Sequence, residues 1–323
     1  MTESRSRQPD TVRSIVYALS ANLAIAVCKA LGAAFTGSGA LLAESFHSLA
    51  DTGNECLLLL GRRQARAPAS THHPLGHGRA TYFWAFVVAL LLFVIGGVLS
   101  IYEGIQKLRE PAPLVEPWVA VAIVLFAMAA EGISLRMALQ QIDKVRRGLT
   151  LWRWFRETRR SELIVVLGED IAALAGLALA LAALAATIAT DNAVYDAVGS
   201  IAVGVLLMVV ASGLAIEIKS LLIGESAPPR LRSEIRAFIK EQPGIVDVDN
   251  LITMQQGDEL LIVVEARMDS HASAAELSRT ISDCKAAIRA AFPSAAWIFI
   301  EPTVARHEER SIRAEARSRV RAR

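Results

Sequence analysis

Leu41–Asp51 reads LLAESFHSLAD. It places His47 and Asp51 one helical turn apart inside an apolar helix, with Glu44 and Glu55 in the same hydrophobic region. An ionisable side chain at mid-membrane costs roughly 2.5–3.5 kcal/mol on insertion scales, so such residues line a polar site. Imidazole and carboxylate at i and i+4 share a helix face. Together they make half of a metal site and can exchange protons. A buried polar pair that only holds two helices together is the competing reading. A second acidic pair, Glu169 and Asp170, deep in a later apolar helix, favours the site.

Composition frames that helix. The chain has 323 residues, 53% of them hydrophobic, with mean hydropathy +0.40 and yet 20% charged residues. Such values fit a membrane protein whose charges are segregated, and they are. Long apolar runs with short loops extend to about residue 223, and from Pro228 the chain reads as a soluble domain. Cys28, Cys56 and Cys284 follow no metal or disulfide spacing. The polar flank Met1–Asp10 is unlike a cleavable signal peptide.

A bilayer crossing takes about 20 apolar residues. Six candidates meet this: Val12–Phe35, Ala40–Leu60, Tyr82–Leu108, Pro117–Leu139, Glu162–Ala189 and Ala197–Ile223. The N-terminus carries Arg5, Arg7 and Arg13; Arg62, Arg63, Arg66 and Arg79 lie in the second loop, and Lys144 to Arg160 in the fourth. The first loop, Thr36–Ser38, and the fifth, Asp191–Asp196, have no Lys or Arg, and the third has only Lys107 and Arg109. The excess of basic residues places both termini and the even loops in the cytoplasm. The expected location is a bacterial inner membrane.

The fifth span carries small residues at four-residue spacing, Gly168, Ala172, Gly176 and Ala180, and the sixth adds Ser200 and Gly204. Such rows permit close helix contact, although Gly and Ala are frequent in membrane helices anyway. Glu169 and Asp170 differ by about 100° in azimuth, so at least one faces the bundle interior. With His47 and Asp51, Asp170 gives three ligands, and Glu169 or water is a fourth. Zinc accepts that tetrahedral N/O set. Manganese, iron or cobalt would suit more oxygens.

Other polar groups in spans are Asn22, Lys29, Glu103 and Glu131. Lys29 is expected near a helix end, snorkelling to water. Glu131 reads as a helix-end partner of Arg136 rather than a ligand. The second loop, Thr71–Arg79, THHPLGHGR, holds His72, His73 and His77 in a Pro/Gly turn, either a weak metal site or a structural turn.

The tail reads αββαβ. Leu231, Ile235, Phe238 and Ile239 line a first helix, strands cover Ile245–Met254 and Leu260–Met268, and a last strand covers Ala296–Glu301. Ser273 and Glu276 form a capping box for a second helix, whose apolar face is Leu277, Ile281, Cys284, Ile288 and Phe292. This order suits a ferredoxin-like layer with helices on one sheet face. The domains expected are a polar segment over 1–11, a six-helix all-α transmembrane domain over 12–227, a ferredoxin-like α+β cytoplasmic domain over 228–303 and a basic tail over 304–323.

With these features in place the chain resembles the cation diffusion facilitator family. The resemblance rests on HSLAD at 47–51, HPLGHGRA at 73–80, EGISL at 131–135, GED at 168–170 and YDAVGSIAVG at 195–204. It implies a homodimer that exports a divalent cation, zinc first, against inward proton flow, with His47, Asp51 and Asp170 as transport site. The chain departs from the common pattern in the fifth span, where Val166 replaces a histidine and Glu169 a frequent glycine. That is similar to the branch with mitochondrial-type zinc transporters. In the tail, Val246 and Phe299 stand where some members carry cage histidines, so dimerisation without a zinc cluster is expected. Besides metal, protons and lipid, no nucleic-acid partner and no enzymatic activity are expected. The alternatives are an organic-cation antiporter, a membrane-embedded metalloenzyme and a metal sensor. Aromatic residues at 6% argue against an organic-cation cage.

Overall fold

The computed structural model describes residues 8–146, 148, 150–158, 161–268 and 273–303. The basic tail expected over 304–323 and residues 1–7 of the polar segment expected over 1–11 lie outside the described residues. Seven helices build a membrane unit: α1 (Gln8–Thr36), α2 (Gly39–Ala65), α3 (Ala80–Arg109), α4 (Pro117–Val145), the short α5 (Leu151–Glu157), α6 (Ser161–Thr190) and α7 (Val194–Ile223). α3, α4, α6 and α7 are each long and apolar enough to cross a membrane. α2 carries Glu44, Asp51 and Glu55, which lower its hydropathy despite a length of 27 residues. The six long helices match the six spans in order, with boundaries shifted by a few residues. One shift moves a polar residue: α7 begins at Val194, so that Asp196 lies in its first turn rather than in a loop.

Two apolar clusters explain the packing. One joins α2, α3, α6 and α7 through Ala43, Val88, Leu92, Val165, Val203 and Leu207. The other joins α1, α2, α4 and α6 through Ala33, Leu41, Ala120, Val124, Leu177 and Leu184. α2 and α6 belong to both, so any polar residue on their facing stripes is held between two dry layers. α3 and α7 approach closely because neither has a side chain at the crossing. A Cβ at Gly204 would stand 2.7 Å from the Gly97 carbonyl oxygen. Ser200 Oγ donates to the Ser100 carbonyl across the same contact at 3.0 Å. The small residues expected in the sixth span therefore do bring two helices together. Gly97 sits in a π-helical segment of α3, Leu92–Val98.

The second unit holds α8 (Pro229–Lys240), β1 (Ile245–Gln256), β2 (Glu259–Met268), α9 (Ala274–Ala291) and β3 (Ala295–Thr303). β2 is central, antiparallel to β1 and parallel to β3. The αββαβ order is as expected. Ser273 caps α9 with the reciprocal Glu276 bond of a capping box. Ile235 and Ile239 of α8 and Cys284 and Ile288 of α9 pack on Val248, Ile262, Val264 and Ile298 of the sheet. Burial pushes the Cys284 thiol pKa up, as for a core residue rather than a ligand. Val246, Ile252 and Phe299 on the opposite face are each more than half exposed. The segment 67–79 belongs to this unit. A Cβ at Gly78 would run into the Gln256 carbonyl, and Gly257 turns beside it at φ +66°. Arg79 reaches the Met254 sulfur at 2.9 Å.

Candidate functional site

On α2 the residues Glu44, His47, Ser48, Asp51, Asn54 and Glu55 recur three or four positions apart, which places them on one stripe. Ser48, Asp51 and Glu55 of that stripe line a cavity of about 80 Å³ inside the membrane unit. Its wall takes Asn22 from α1, Ser48, Asp51 and Glu55 from α2, Glu131 and Ser134 from α4, and Val166, Glu169 and Asp170 from α6. Five carboxylates thus surround one small space between membrane helices.

Three of the four expected ligands are on that wall, and the fourth touches one of them. His47 is fully buried, and its Nε2 stands 3.5 Å from Asp51 Oδ2. Neither ring nitrogen makes a hydrogen bond. Asp51 Oδ1 is also without one. Asp170 Oδ1 accepts from Ser134 Oγ at 3.2 Å, while Oδ2 is buried and unpartnered. Buried polar atoms are nearly always satisfied, so a set of orphaned imidazole and carboxylate atoms at one cavity marks a place for a ligand or a proton. Among the described residues no three His, Cys, Asp or Glu side chains are gathered closely enough to hold a metal ion as they stand.

Glu169 and Asp170 both reach the cavity, although adjacent helical residues diverge. The cavity lies between two neighbours of α6, and each acid turns to a different one. Asp170 meets Ser134 of α4, and Glu169 Oε1 accepts from Asn54 Nδ2 of α2 at 2.5 Å. Glu55 Oε1 accepts from Asn22 Nδ2 at 2.6 Å. Glu131 is on the cavity wall too, which corrects its reading as a helix-end group. Ser48, Asn54 and Ser134 were not singled out from sequence. The signal for the first two was the polar stripe itself, since both fall at helical spacing from Asp51.

Lys29 does not snorkel. It is completely enclosed, and its ammonium donates to Ser48 Oγ at 2.7 Å and to Glu44 Oε2 at 3.3 Å. A snorkelling lysine needs a nearby interface, whereas this one has a buried carboxylate within reach. In the second loop, Ser70 Oγ accepts from the His73 amide at 3.1 Å and the Gly76 amide donates to the His73 carbonyl at 3.0 Å. The His73 and His77 rings lie 4.4 Å apart between centroids. The turn is confirmed, and two of its imidazoles are neighbours.

Comparison with known proteins bears on these features together. Residues 15–223 match the cation efflux transmembrane domain, and residues 227–303 match the cation efflux protein cytoplasmic domain. The chain is 32% identical over 231 residues to the Xenopus laevis protein named proton-coupled zinc antiporter SLC30A9, mitochondrial, covering 71% of this chain and 41% of that one. It is 32% identical over 238 residues to metal tolerance protein C4 of Arabidopsis thaliana, covering 73% and 52%. It is 25% identical over 262 residues to the cation-efflux pump FieF of Shigella boydii, covering 80% and 81%. The chain therefore spans about half or less of the length of the first two relatives. With both of its domains matched in order, this chain belongs to the cation efflux family of multi-pass membrane transporters.

Proposed function

We propose that the protein is a proton-coupled antiporter that exports a divalent metal, zinc first, from the cytoplasm. The observation that carries this is the carboxylate-walled cavity with the unpartnered Asp51 Oδ1 and Asp170 Oδ2 beside an unpartnered His47. His47, Asp51 and Asp170 would hold the metal, with Glu169 as fourth ligand when it leaves Asn54. Metal binding needs neutral imidazole and ionised carboxylates, so protons and metal compete for the same atoms. The names of the relatives, a zinc antiporter, a metal tolerance protein and an efflux pump, support the same reading. The cavity, at about 80 Å³, also argues against an organic cation, since pockets for such ligands run to about 300 Å³ or more. The exposed Val246, Ile252 and Phe299 face supports a homodimer formed through the cytoplasmic domain. The membrane we propose is a bacterial cell membrane, on the long match to the Shigella pump. An organelle membrane is the second reading, supported by the mitochondrial name of the Xenopus relative.

The test is flux in proteoliposomes with zinc, manganese, iron and cobalt, with and without a pH gradient. Zinc flux driven by the gradient is expected, and metal affinity should fall as pH drops, since protons and metal compete for the same atoms. Flux indifferent to the gradient would remove the antiport mechanism.

Metal preference is expected to depend on the fifth-span substitutions. Val166 is on the cavity wall but cannot coordinate. Val166→His should add a nitrogen ligand and sharpen preference for zinc, and Glu169→Gln should reduce manganese and iron flux relative to zinc. If the order of metals is the same in both variants as in the wild type, neither position sets selectivity.

A further inference from the structure

A charge sits immediately behind the metal cavity. Lys29 and Glu44 are each completely buried, yet neither is on the cavity wall. Their link to it is Ser48, whose side chain lines the cavity and accepts from Lys29 Nζ at 2.7 Å. On its other side the ammonium meets Glu44 Oε2 at 3.3 Å. Glu44 Oε1 has no hydrogen-bond partner and faces Gly176 of α6, where a Cβ would collide with it. The absent side chain at Gly176 makes room for the carboxylate, so helices α1, α2 and α6 all contribute to holding this pair.

Stability alone is a weak reason for such a pair. Two charges removed from water give up hydration that their mutual attraction rarely recovers, and apolar replacements are often as stable. The surroundings suggest another role. The groups facing the cavity are acids: Asp51 and Glu55 on α2, Glu131 on α4, and Glu169 and Asp170 on α6, with His47 beside them. Lys107 of α3 and Asp196 of α7 contact each other at the outer end of α2. Of the Lys29–Glu44 pair, the positive end is the one bonded to the cavity wall.

We propose that Lys29 is a tethered cation that weakens metal binding in the cavity so that the ion can leave. Glu44 anchors the ammonium and Ser48 holds it against the wall. Lys29 is a positioning charge and not a ligand. This inference rests on the transport reading above. A fixed positive charge raises the energy of a bound dication, and at an effective dielectric of about 20 the interaction is still significant across roughly 10 Å. An exporter that bound metal through five uncompensated carboxylates would load readily and release slowly.

The test uses the full-length protein, with zinc and manganese ions as probes, in calorimetry and in proteoliposome flux. Lys29→Met should tighten metal binding about tenfold and lower both KM and kcat for flux. A purely structural defect would not lower KM. Lys29→Arg should restore wild-type values. Because Lys29→Met leaves Glu44 without its partner, the neutral double variant Lys29→Met/Glu44→Gln is measured beside it and should tighten binding in the same direction but by less, since the cation bonded to the wall and its more distant partner are both removed. Wild-type affinity and KM in the double variant would overturn the proposal, as would loss of the folded protein in both variants, which would make the pair structural. Failure of the wild-type protein to bind either metal would overturn the transport reading itself and is distinguishable from both.

Discussion

Asp51→Ala and Asp170→Ala should each abolish metal flux, lowering initial rates by at least about 100-fold while leaving the protein folded. Residues that only orient a metal ligand typically change affinity 10- to 100-fold when removed, so loss of a direct ligand should exceed that. Asp170 offers a buried oxygen with no partner, and Asp51 offers another on the facing helix. Neither carboxylate holds the bundle together: among the described residues Asp170 has one bond, to Ser134, and Asp51 has one ion-pair contact, with His47 at 3.5 Å. Stability in detergent should therefore change little in either variant. Ser134→Ala supplies the graded comparison. It removes only the group that orients Asp170, and roughly a tenfold loss of affinity is expected. Flux of zinc, manganese, iron and cobalt, together with calorimetric affinity, measures all three variants. Normal flux of all four metals in both Asp variants would end the assignment of this cavity as the transport site.

The residues that made this site legible are those whose cost in lipid is unmistakable. His47, Asp51 and Asp170 lie in apolar helices, and hydropathy alone singles them out. The tail was legible for a different reason, since alternation in β2 and the Ser273 box are local signals that local structure obeys. What sequence missed depends on which helices are neighbours. Glu131 is flanked by Gly132 and followed by Arg136, which suggests a helix end. Only the packing of α4 against α6 puts it on the cavity wall. Lys29 misleads similarly: its distance from a helix end can be counted, but the enclosed carboxylate of Glu44 cannot. Glu169 shows the limit of azimuth arguments. A 100° offset separates two side chains only when the site has one neighbouring helix, and here it has two.

Asp196→Ala should lower the stability of the membrane unit by about 3 kcal/mol, the largest structural effect expected of a single substitution outside the cavity. α2, which carries most of the site, begins with amides that have no helical acceptor. Ser38 Oγ accepts from the Leu41 amide at 3.2 Å, and the carboxylate of Asp196 on α7 accepts from Gly39 N at 2.5 Å and Ser38 Oγ at 2.6 Å. Lys107 of α3 closes the arrangement, 3.5 Å from Asp196 Oδ2 and donating to the Gly37 carbonyl. Three helices are therefore tied at one carboxylate that is 1% exposed. A helix cap alone contributes about 1 kcal/mol. Removing this one also leaves the buried Gly39 and Ala40 amides and the Ser38 hydroxyl without their acceptor, and unsatisfied buried donors at about 1–3 kcal/mol each are what raise the estimate above that of a simple cap. Asp196→Asn keeps an acceptor for the α2 amide and should lose less than half as much. The measurement is reversible unfolding in detergent with graded SDS, followed by helix content. A difference under about 0.5 kcal/mol for Asp196→Ala would show that water replaces the carboxylate at no cost, and that α2 is positioned by the apolar packing of Ala43 and Leu41 alone.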